Sequence, residues 1–147
     1  MSGRVIVIIM LATAGIFAAG LWYYQVHAFY ERVAGVTSLQ VDGQAVPVSA
    51  YDGIDAFTSP LKIRACFRAE PGAFAALDDA AGAAPLRPPY WFDCFDAAAI
   101  TEALANGAAT AHIIADETPR DATGYSILTY VAVYPDGRGY LWRQFAE

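Results

Sequence analysis

The sequence predicts an α+β protein, in which an N-terminal transmembrane helix precedes a small domain with an antiparallel sheet and one or two helices. Three observations lead to this fold class. Residues 5–24 form an uncharged apolar run. The rest of the chain contains short β-branched or alternating runs that are separated by Asp-Gly and Pro-Asp-Gly turns. In its middle, apolar residues at helical spacing lie between a capping Asp96 and Gly107.

The apolar run at residues 5–24 has the length that a helix needs to cross roughly 30 Å of hydrocarbon. A single Arg4 precedes the run. Aromatic residues close it, as expected at a membrane interface; they are Trp22, Tyr23 and Tyr24. The predicted organisation is a cytoplasmic N-terminus at 1–4, a transmembrane helix at 5–24, a juxtamembrane stalk at 25–35 and a soluble domain at 36–147.

A cleavable signal peptide is the main alternative for this run, since small residues at 12–14 and 18–20 offer peptidase sites. Cleavage after Ala14 leaves a short apolar core, and cleavage after Gly20 leaves four bulky residues at a bare N-terminus. We therefore expect an uncleaved, single-pass anchor in the inner (plasma) membrane. Arg4 favours an N-terminus inside the cell and a periplasmic domain.

The charge of the chain excludes several classes of function. Its formal net charge is −6, and residues 33–147 contain seven Lys/Arg against fourteen Asp/Glu. An acidic domain is repelled by nucleic acid and by anionic lipid, so we expect no nucleic-acid partner. The chain has neither a phosphate-binding glycine loop nor a G-x-S-x-G elbow, so we also expect no nucleotide, cofactor or metal and no enzymatic activity.

Along the chain, the domain is predicted to contain three strands, one or two helices and three further strands, which form an antiparallel sheet with helix packed on one face. A turn at Asp42-Gly43 joins the first two strands, Pro47 places the second at an edge or ends it early, and Asp52-Gly53 is predicted to be another turn. The strand at 61–67 is predicted to face solvent with Lys62, Arg64, Cys66 and Arg68. The remaining predicted elements are strands at 36–41, 45–48, 109–115, 126–134 and 139–145, helices at 73–81 and 97–106, and a loop at 116–124.

The two cysteines are Cys66 and Cys94, and a structural disulfide is the interpretation that we adopt for them. On the chain-entropy estimate, a disulfide that closes a loop of this size adds roughly 3–4 kcal/mol to the free energy of unfolding. A redox-active pair usually has C-x-x-C spacing, which is absent here. Two alternatives remain open: a metal site formed by both thiols and His112, and a pair of free, buried thiols. We expect His112 to be an ordinary, partly exposed strand histidine.

Three segments carry a family resemblance: Ser59 to Phe67, Trp91 to Ala97, and Tyr134 to Gln144, with the sequences SPLKIRACF, WFDCFDA and YPDGRGYLWRQ. Together with the position of the anchor, they resemble a family of short, single-span bacterial membrane proteins that share a domain of unknown function. The likeness covers nearly the whole chain. It implies the anchor-and-domain architecture and fits a disulfide, but it implies no activity.

We expect the protein to be a non-catalytic accessory or interaction module of a membrane protein complex. The stalk is short, Gly15 and Ala19 give the span a small-residue face, and the domain is rich in aromatic residues. The candidate interaction residues are Tyr90, Trp91, Phe92, Tyr140 and Trp142. The alternatives are a periplasmic thiol-redox or metal-handling factor that uses Cys66 and Cys94, and a structural envelope protein without a dedicated partner.

Overall fold

The computed structural model describes residues 2–117 and 125–146. The chain divides into two compact units, residues 1–30 and residues 31–147. The first unit contains helix α1 (Gly3–Val26), none of whose residues is buried. At 1.5 Å per residue α1 is about 36 Å long, and it is long and apolar enough to span a membrane. A signal sequence has the same length and composition, so α1 is a candidate membrane span.

In the described part of the chain after α1, the structure has seven strands and one further α-helix, which confirms the predicted α+β class. The strands are β1 (Tyr30–Ala34), β2 (Ser38–Val41), β3 (Gln44–Ala56), β4 (Arg64–Ala69), β5 (Thr110–Glu117), β6 (Ile127–Val133) and β7 (Arg138–Phe145). The helix α2 is Ala97–Asn106, and Pro60–Lys62 form one 3-10 turn. The strand order in the sheet is β1-β3-β4-β7-β6-β5, with β2 paired to β3.

Cross-strand register defines two faces of this sheet. Residues that are directly paired share a face, and successive residues alternate. The first face includes Ala65, Phe67, His112, Val131 and Leu141. The second face includes Arg64, Cys66, Tyr130, Tyr140, Trp142 and Gln144. Both faces are covered by other parts of the chain, so neither is a solvent face in the centre of the sheet.

The first face is covered by the β2–β3 hairpin and by a run of turns after β4. Asp42 and Gly43 form the two-residue hairpin turn with φ of 48° and 78°, the left-handed values that a type I′ turn requires. Leu39, Val41 and Phe74 pack with the first-face side chains in one apolar cluster. This cluster is the main core of the domain.

The second face is covered by residues 82–96, which contain neither helix nor strand. Helix α2 follows this segment and has the predicted caps. The Asp96 carboxylate accepts hydrogen bonds of 3.0 Å from the Ala98 and Ala99 N–H groups, and Gly107 ends the helix with a φ of 76°. Both ends therefore carry the capping chemistry that satisfies free backbone groups of a helix.

Between these two covering segments the chain passes around the edge strand β5. The Ala80 N–H donates a 2.8 Å hydrogen bond to the Ala111 carbonyl in β5. Phe74, before this point, lies on the first face, whereas Gly82, after it, bonds to Gln144 on the second face. The segment from Phe74 to Gly82 therefore connects the two covers at one edge of the sheet.

Strand β3, which was predicted to cover only residues 45–48, is longer than the sequence indicates. The turn predicted at Asp52-Gly53 is wrong, because β3 continues through it and pairs Asp52 with Cys66 and Gly53 with Ala65. A Cβ on Gly53 would lie 2.8 Å from the Tyr51 ring, so glycine here allows close approach rather than a turn. The strand also does not end at Pro47, since pairing with β4 begins one residue later, at Val48.

The helix predicted at residues 73–81 is absent. Residues 71–76 form consecutive four-residue turns instead, with hydrogen bonds of 3.0 Å from Ala73 N–H to Glu70 O and from Ala75 N–H to Gly72 O. Gly72, immediately before the predicted helix, has a φ of 82°, so the chain enters residues 73–81 in a left-handed conformation. Tertiary packing of Phe74 and Leu77 on the first face therefore overrides the helical spacing.

Two further boundaries differ from the prediction. Residues 30–34, which the prediction placed in the stalk, form strand β1. Strand β4 starts at Arg64, after the 3-10 turn, and Arg64 is buried rather than solvent-facing. The prediction assumed that one face of the sheet was solvated, whereas residues 82–96 cover it. Most of the loop predicted at 116–124 lies outside the described residues.

Candidate functional site

The structure joins Cys66 and Cys94 in a disulfide, which confirms the predicted pair. Cys66 is half-buried on the second face of β4, and Cys94 is exposed, two residues before the helix cap Asp96. The Cα atoms are 6.3 Å apart across a sequence separation of 28 residues. The bond therefore ties the segment that covers the second face to the centre of the sheet.

An open depression of about 180 Å³ lies beside the disulfide and is lined by both cysteines, Arg68 and Arg138. The Arg138 Nε donates a 2.8 Å hydrogen bond to Asp136, and its guanidinium lies 4.4 Å above the centre of the Tyr134 ring. The Arg138 N–H and guanidinium hold the pKa of the Asp136 carboxyl below its ordinary value. Positive charge close to a disulfide favours a thiolate leaving group, and Arg68 and Arg138 line the same depression as the disulfide.

The predicted interaction residues fall into two sets. Tyr90 is 69% exposed and Trp91 is half-buried, with the Arg32 guanidinium 5.9 Å from the centre of the Trp91 ring. Tyr90 also lines a surface depression of about 510 Å³ that extends from Arg87 past Asp93 to the start of α2. These two aromatic residues are accessible to a partner.

The other three predicted interaction residues are less accessible. Phe92 is 2% exposed and Trp142 is 0% exposed, so both are core residues and cannot contact a partner. Trp142 stacks on Tyr130 with ring centres 5.7 Å apart, and Phe95 packs edge-on against it. Tyr140 is half-buried. The prediction included Tyr140 and Trp142 because the sequence does not indicate that this face of β7 is covered.

Two buried polar residues hold the second-face segment, and the sequence reasoning missed both roles. Gln144 accepts hydrogen bonds from Ala84 N–H at 2.7 Å and from Trp142 Nε1 at 2.9 Å, and its amide donates to Gly82 O at 2.7 Å. The Arg64 guanidinium donates to Leu86 O at 2.7 Å. These side chains satisfy backbone groups that an irregular, buried segment cannot pair with itself.

The described residues also form a cavity of about 340 Å³ on the first face, between the turns after β4 and the ends of β5 and β6. Its wall includes His112, which is 4% exposed, and the expectation of a partly exposed strand histidine is therefore wrong. His112 Nδ1 lies 3.0 Å from the Asp78 carbonyl. Tyr134 also lines the cavity, and burial, followed by the nearby Tyr140, raises the pKa of its phenol.

The metal site considered for Cys66, Cys94 and His112 is wrong. Cys66 pairs with Tyr140 on the second face, whereas His112 pairs with Val131 on the first face. Both thiols are also consumed by the disulfide. Among residues 2–117 and 125–146, no three His, Cys, Asp or Glu side chains come together as metal ligands.

The predicted membrane-interface residues lie in the last turns of α1. Trp22, Tyr23 and Tyr24 are all exposed, with the Tyr23 and Tyr24 ring centres 5.8 Å apart. Exposure of aromatic rings at one end of an apolar helix is typical of a membrane interface. The assignment stays a prediction.

These features define a class of protein: a disulfide-linked α+β domain that follows a candidate membrane span. The chain belongs to a family of unknown function, DUF6446, whose family model matches residues 34–147. The match covers the domain and begins after α1, so the predicted resemblance to a family with a domain of unknown function is confirmed. Searches of curated proteins and of solved structures find no match.

Proposed function

We propose that the protein is a single-pass, non-catalytic module that contacts another membrane protein through the surface around Tyr90. The observation that carries this proposal is the exposure of Tyr90 on a rigid base. Phe92 and Phe95 are buried on the second face and fix the segment. Because an anchored aromatic side chain loses little conformational freedom on binding, it is well suited to act as a hot spot.

The proposed membrane arrangement is an uncleaved α1 in the inner membrane with the domain in the periplasm. The disulfide supports this side, because such bonds persist in oxidising compartments. Alkylation of intact cells before and after reduction tests it. We expect both thiols to be protected until a reductant is added. Thiols that react without reduction would place the domain in a reducing compartment.

Co-purification from native membranes in a gentle detergent, followed by mass spectrometry, tests the partner. We expect a stoichiometric membrane protein with the wild-type chain and its loss with Tyr90→Ala. Tyr125→Ala is the matched control, because Tyr125 is also exposed but packs against Phe145 and does not line the depression beside Tyr90. A companion that tolerates Tyr90→Ala, or none at all, would contradict the proposed surface.

A thiol-redox factor is the second candidate, favoured by one observation: Cys94 is exposed, and Arg68 and Arg138 line the depression around the disulfide. In such a reaction two electrons from an external dithiol reduce the bond, and the donor becomes a disulfide. Equilibration in glutathione buffers distinguishes the candidates. A structural disulfide has a potential below roughly −300 mV, and a redox-active one has a higher potential.

A further inference from the structure

The cavity on the first face has the properties of a binding site for a small molecule. Its volume is about 340 Å³, at the lower end of the range that is typical of ligand pockets. Phe74, Leu77 and Val133 form its apolar wall. Phe74 is buried, and the other two are half-buried against the core.

His112 presents a hydrogen-bond acceptor to this cavity. A carbonyl oxygen only accepts hydrogen bonds, so the contact between His112 Nδ1 and Asp78 O puts the proton of the neutral ring on Nδ1. Nε2 then carries a lone pair. Within residues 2–117 and 125–146 Nε2 forms no hydrogen bond, and no side-chain nitrogen or oxygen there is both fully buried and unbonded, so Nε2 keeps an accessible surface. Because His112 lines the cavity and only 4% of the residue is exposed, we place that surface at the cavity, where a ligand's donor can reach it.

The mouth of the cavity is negatively charged. Glu70 and Asp79 line it and are exposed. None of its lining residues is Lys or Arg, and the whole chain has a net charge of −6. The Arg138 guanidinium lies 4.4 Å from the centre of the Tyr134 ring, which lines the cavity, but it is paired with Asp136 at 2.8 Å. The carboxylates at the entrance therefore favour a positively charged group over an anion.

We propose that this cavity binds a small amphiphilic amine that carries a hydroxyl group at the end opposite its ammonium. The hydroxyl donates a hydrogen bond to His112 Nε2 at the bottom of the cavity. The apolar body packs against Phe74, Leu77 and Val133. The ammonium remains at the mouth beside Glu70 and Asp79. This site is separate from the Tyr90 surface and does not depend on a protein partner.

Three probes of nearly equal shape test this arrangement on the full-length chain in detergent, by ligand-observed NMR and calorimetry. Tyramine has both recognition groups, phenethylamine lacks the hydroxyl, and 3-(4-hydroxyphenyl)propionate replaces the ammonium with a carboxylate. We expect tyramine to bind with a Kd of about 1 mM or below. Because one hydrogen bond is lost, phenethylamine should bind roughly 3- to 10-fold more weakly. The carboxylate should bind more weakly still.

Variants of the wall locate the binding. Ala75 lines the cavity and is exposed, so Ala75→Phe obstructs the mouth without disturbing the core, and tyramine binding should be lost. Ala76→Phe is the matched control, because Ala76 is exposed and does not line the cavity. Glu70→Gln combined with Asp79→Asn should weaken tyramine several-fold, whereas Glu102→Gln, outside the cavity, should not.

The acceptor is tested by His112→Asn. The asparagine amide can still donate to Asp78 O, but it has no atom in the position of Nε2. The preference for tyramine over phenethylamine should disappear in this variant. If His112→Asn does not fold, the comparison of the three probes and the Ala75→Phe variant still test whether the cavity binds the amine. No tyramine binding, equal affinity for all three probes, or unchanged affinity in Ala75→Phe would each overturn the proposal.

Discussion

The two faces of the sheet are covered in different ways. On the first face the cover is the β2–β3 hairpin together with the short turns after β4. The hairpin satisfies its own backbone through strand pairing and contributes apolar side chains such as Leu39 and Val41. On the second face the cover is residues 82–96, which have no helix or strand. There Gln144 and Arg64 bond to backbone groups, and the disulfide adds a covalent link.

The comparison shows what an irregular cover requires. A regular hairpin can be held by apolar packing alone, because its polar backbone groups are already paired. An irregular cover must find partners for those groups in buried side chains. The first face is mostly apolar, with His112 beside a cavity, whereas the second combines stacked aromatic rings with a buried polar network. Four substitutions or conditions test this difference, from the largest expected effect to the smallest.

Removal of the Trp142 ring should have the largest effect. Trp142→Ala is expected to lower the free energy of unfolding by about 3–5 kcal/mol. It should also expose the Ala84 amide to hydrogen exchange, because the Trp142 stack and Gln144 hold that segment. Leu141→Ala on the first face of the same strand is the comparison variant: it should destabilise the domain and leave Ala84 protected. Protection of Ala84 in both variants would contradict the proposed support.

Opening the disulfide should have the next largest effect. For a loop of 28 residues, reduction is expected to lower the free energy of unfolding by about 3–4 kcal/mol on the chain-entropy estimate. Urea denaturation with and without reductant measures this difference. The Cys66→Ala, Cys94→Ala double variant is the control. Its free energy of unfolding should equal that of the reduced protein and should be the same with and without reductant. A decrease of less than about 1 kcal/mol in the free energy of unfolding would show that the polar contacts hold residues 82–96 in place without the disulfide.

Loss of the buried amide should have a smaller effect. Gln144→Leu leaves the Ala84 N–H, the Gly82 carbonyl and the Trp142 Nε1 without their partner. We expect a loss of about 1–3 kcal/mol in unfolding free energy, measured by urea denaturation. Gln40→Leu, at an exposed position in β2 of the other cover, should change stability little. Equal effects of both substitutions would remove the distinction between the two covers.

The smallest effect concerns the exposed turn before β7. Hydrogen bonds from Arg138 lower the pKa of Asp136 in the folded state. A lowered carboxyl pKa stabilises the fold at pH values above the unfolded pKa of about 3.9, and this stabilisation is lost as the pH falls through the folded value. Asp136→Asn should therefore lower the urea midpoint slightly at pH 7 and not at all near pH 2. The opposite trend would contradict the assignment.

Sequence reasoning predicted the parts of the fold whose signals are local. Asp96 and Gly107 marked both ends of α2, and Pro135-Asp136-Gly137 marked the last hairpin, because capping and turn chemistry depend on neighbouring residues. The disulfide also followed from composition and the expected compartment. None of these elements required knowledge of what packs on the sheet.

The misplaced elements depend on distant parts of the chain. Alternation assigns a side chain to a face, but it does not indicate whether another segment covers that face. Arg64 and Trp142 were therefore placed in solvent or at a partner surface, although residues 82–96 bury them. His112 was likewise missed, since its cavity exists only where residues 70–79 fold over β5 and β6. The sequence offers one signal for the buried role of Gln144: it is a polar residue two positions after Trp142, so both side chains lie on the same face of the strand.

The path between the two cysteines has a topological consequence. From Cys66 the chain crosses the first face, rounds the edge strand β5 at Ala80, and returns across the second face to Cys94. The disulfide thus closes a covalent ring around β5, β6 and β7, which come later in the sequence. When the N-terminus is synthesised first, both thiols emerge before these strands do. Oxidation at that stage would oblige the C-terminal strands to thread a closed ring, whereas oxidation after they are in place locks them inside it.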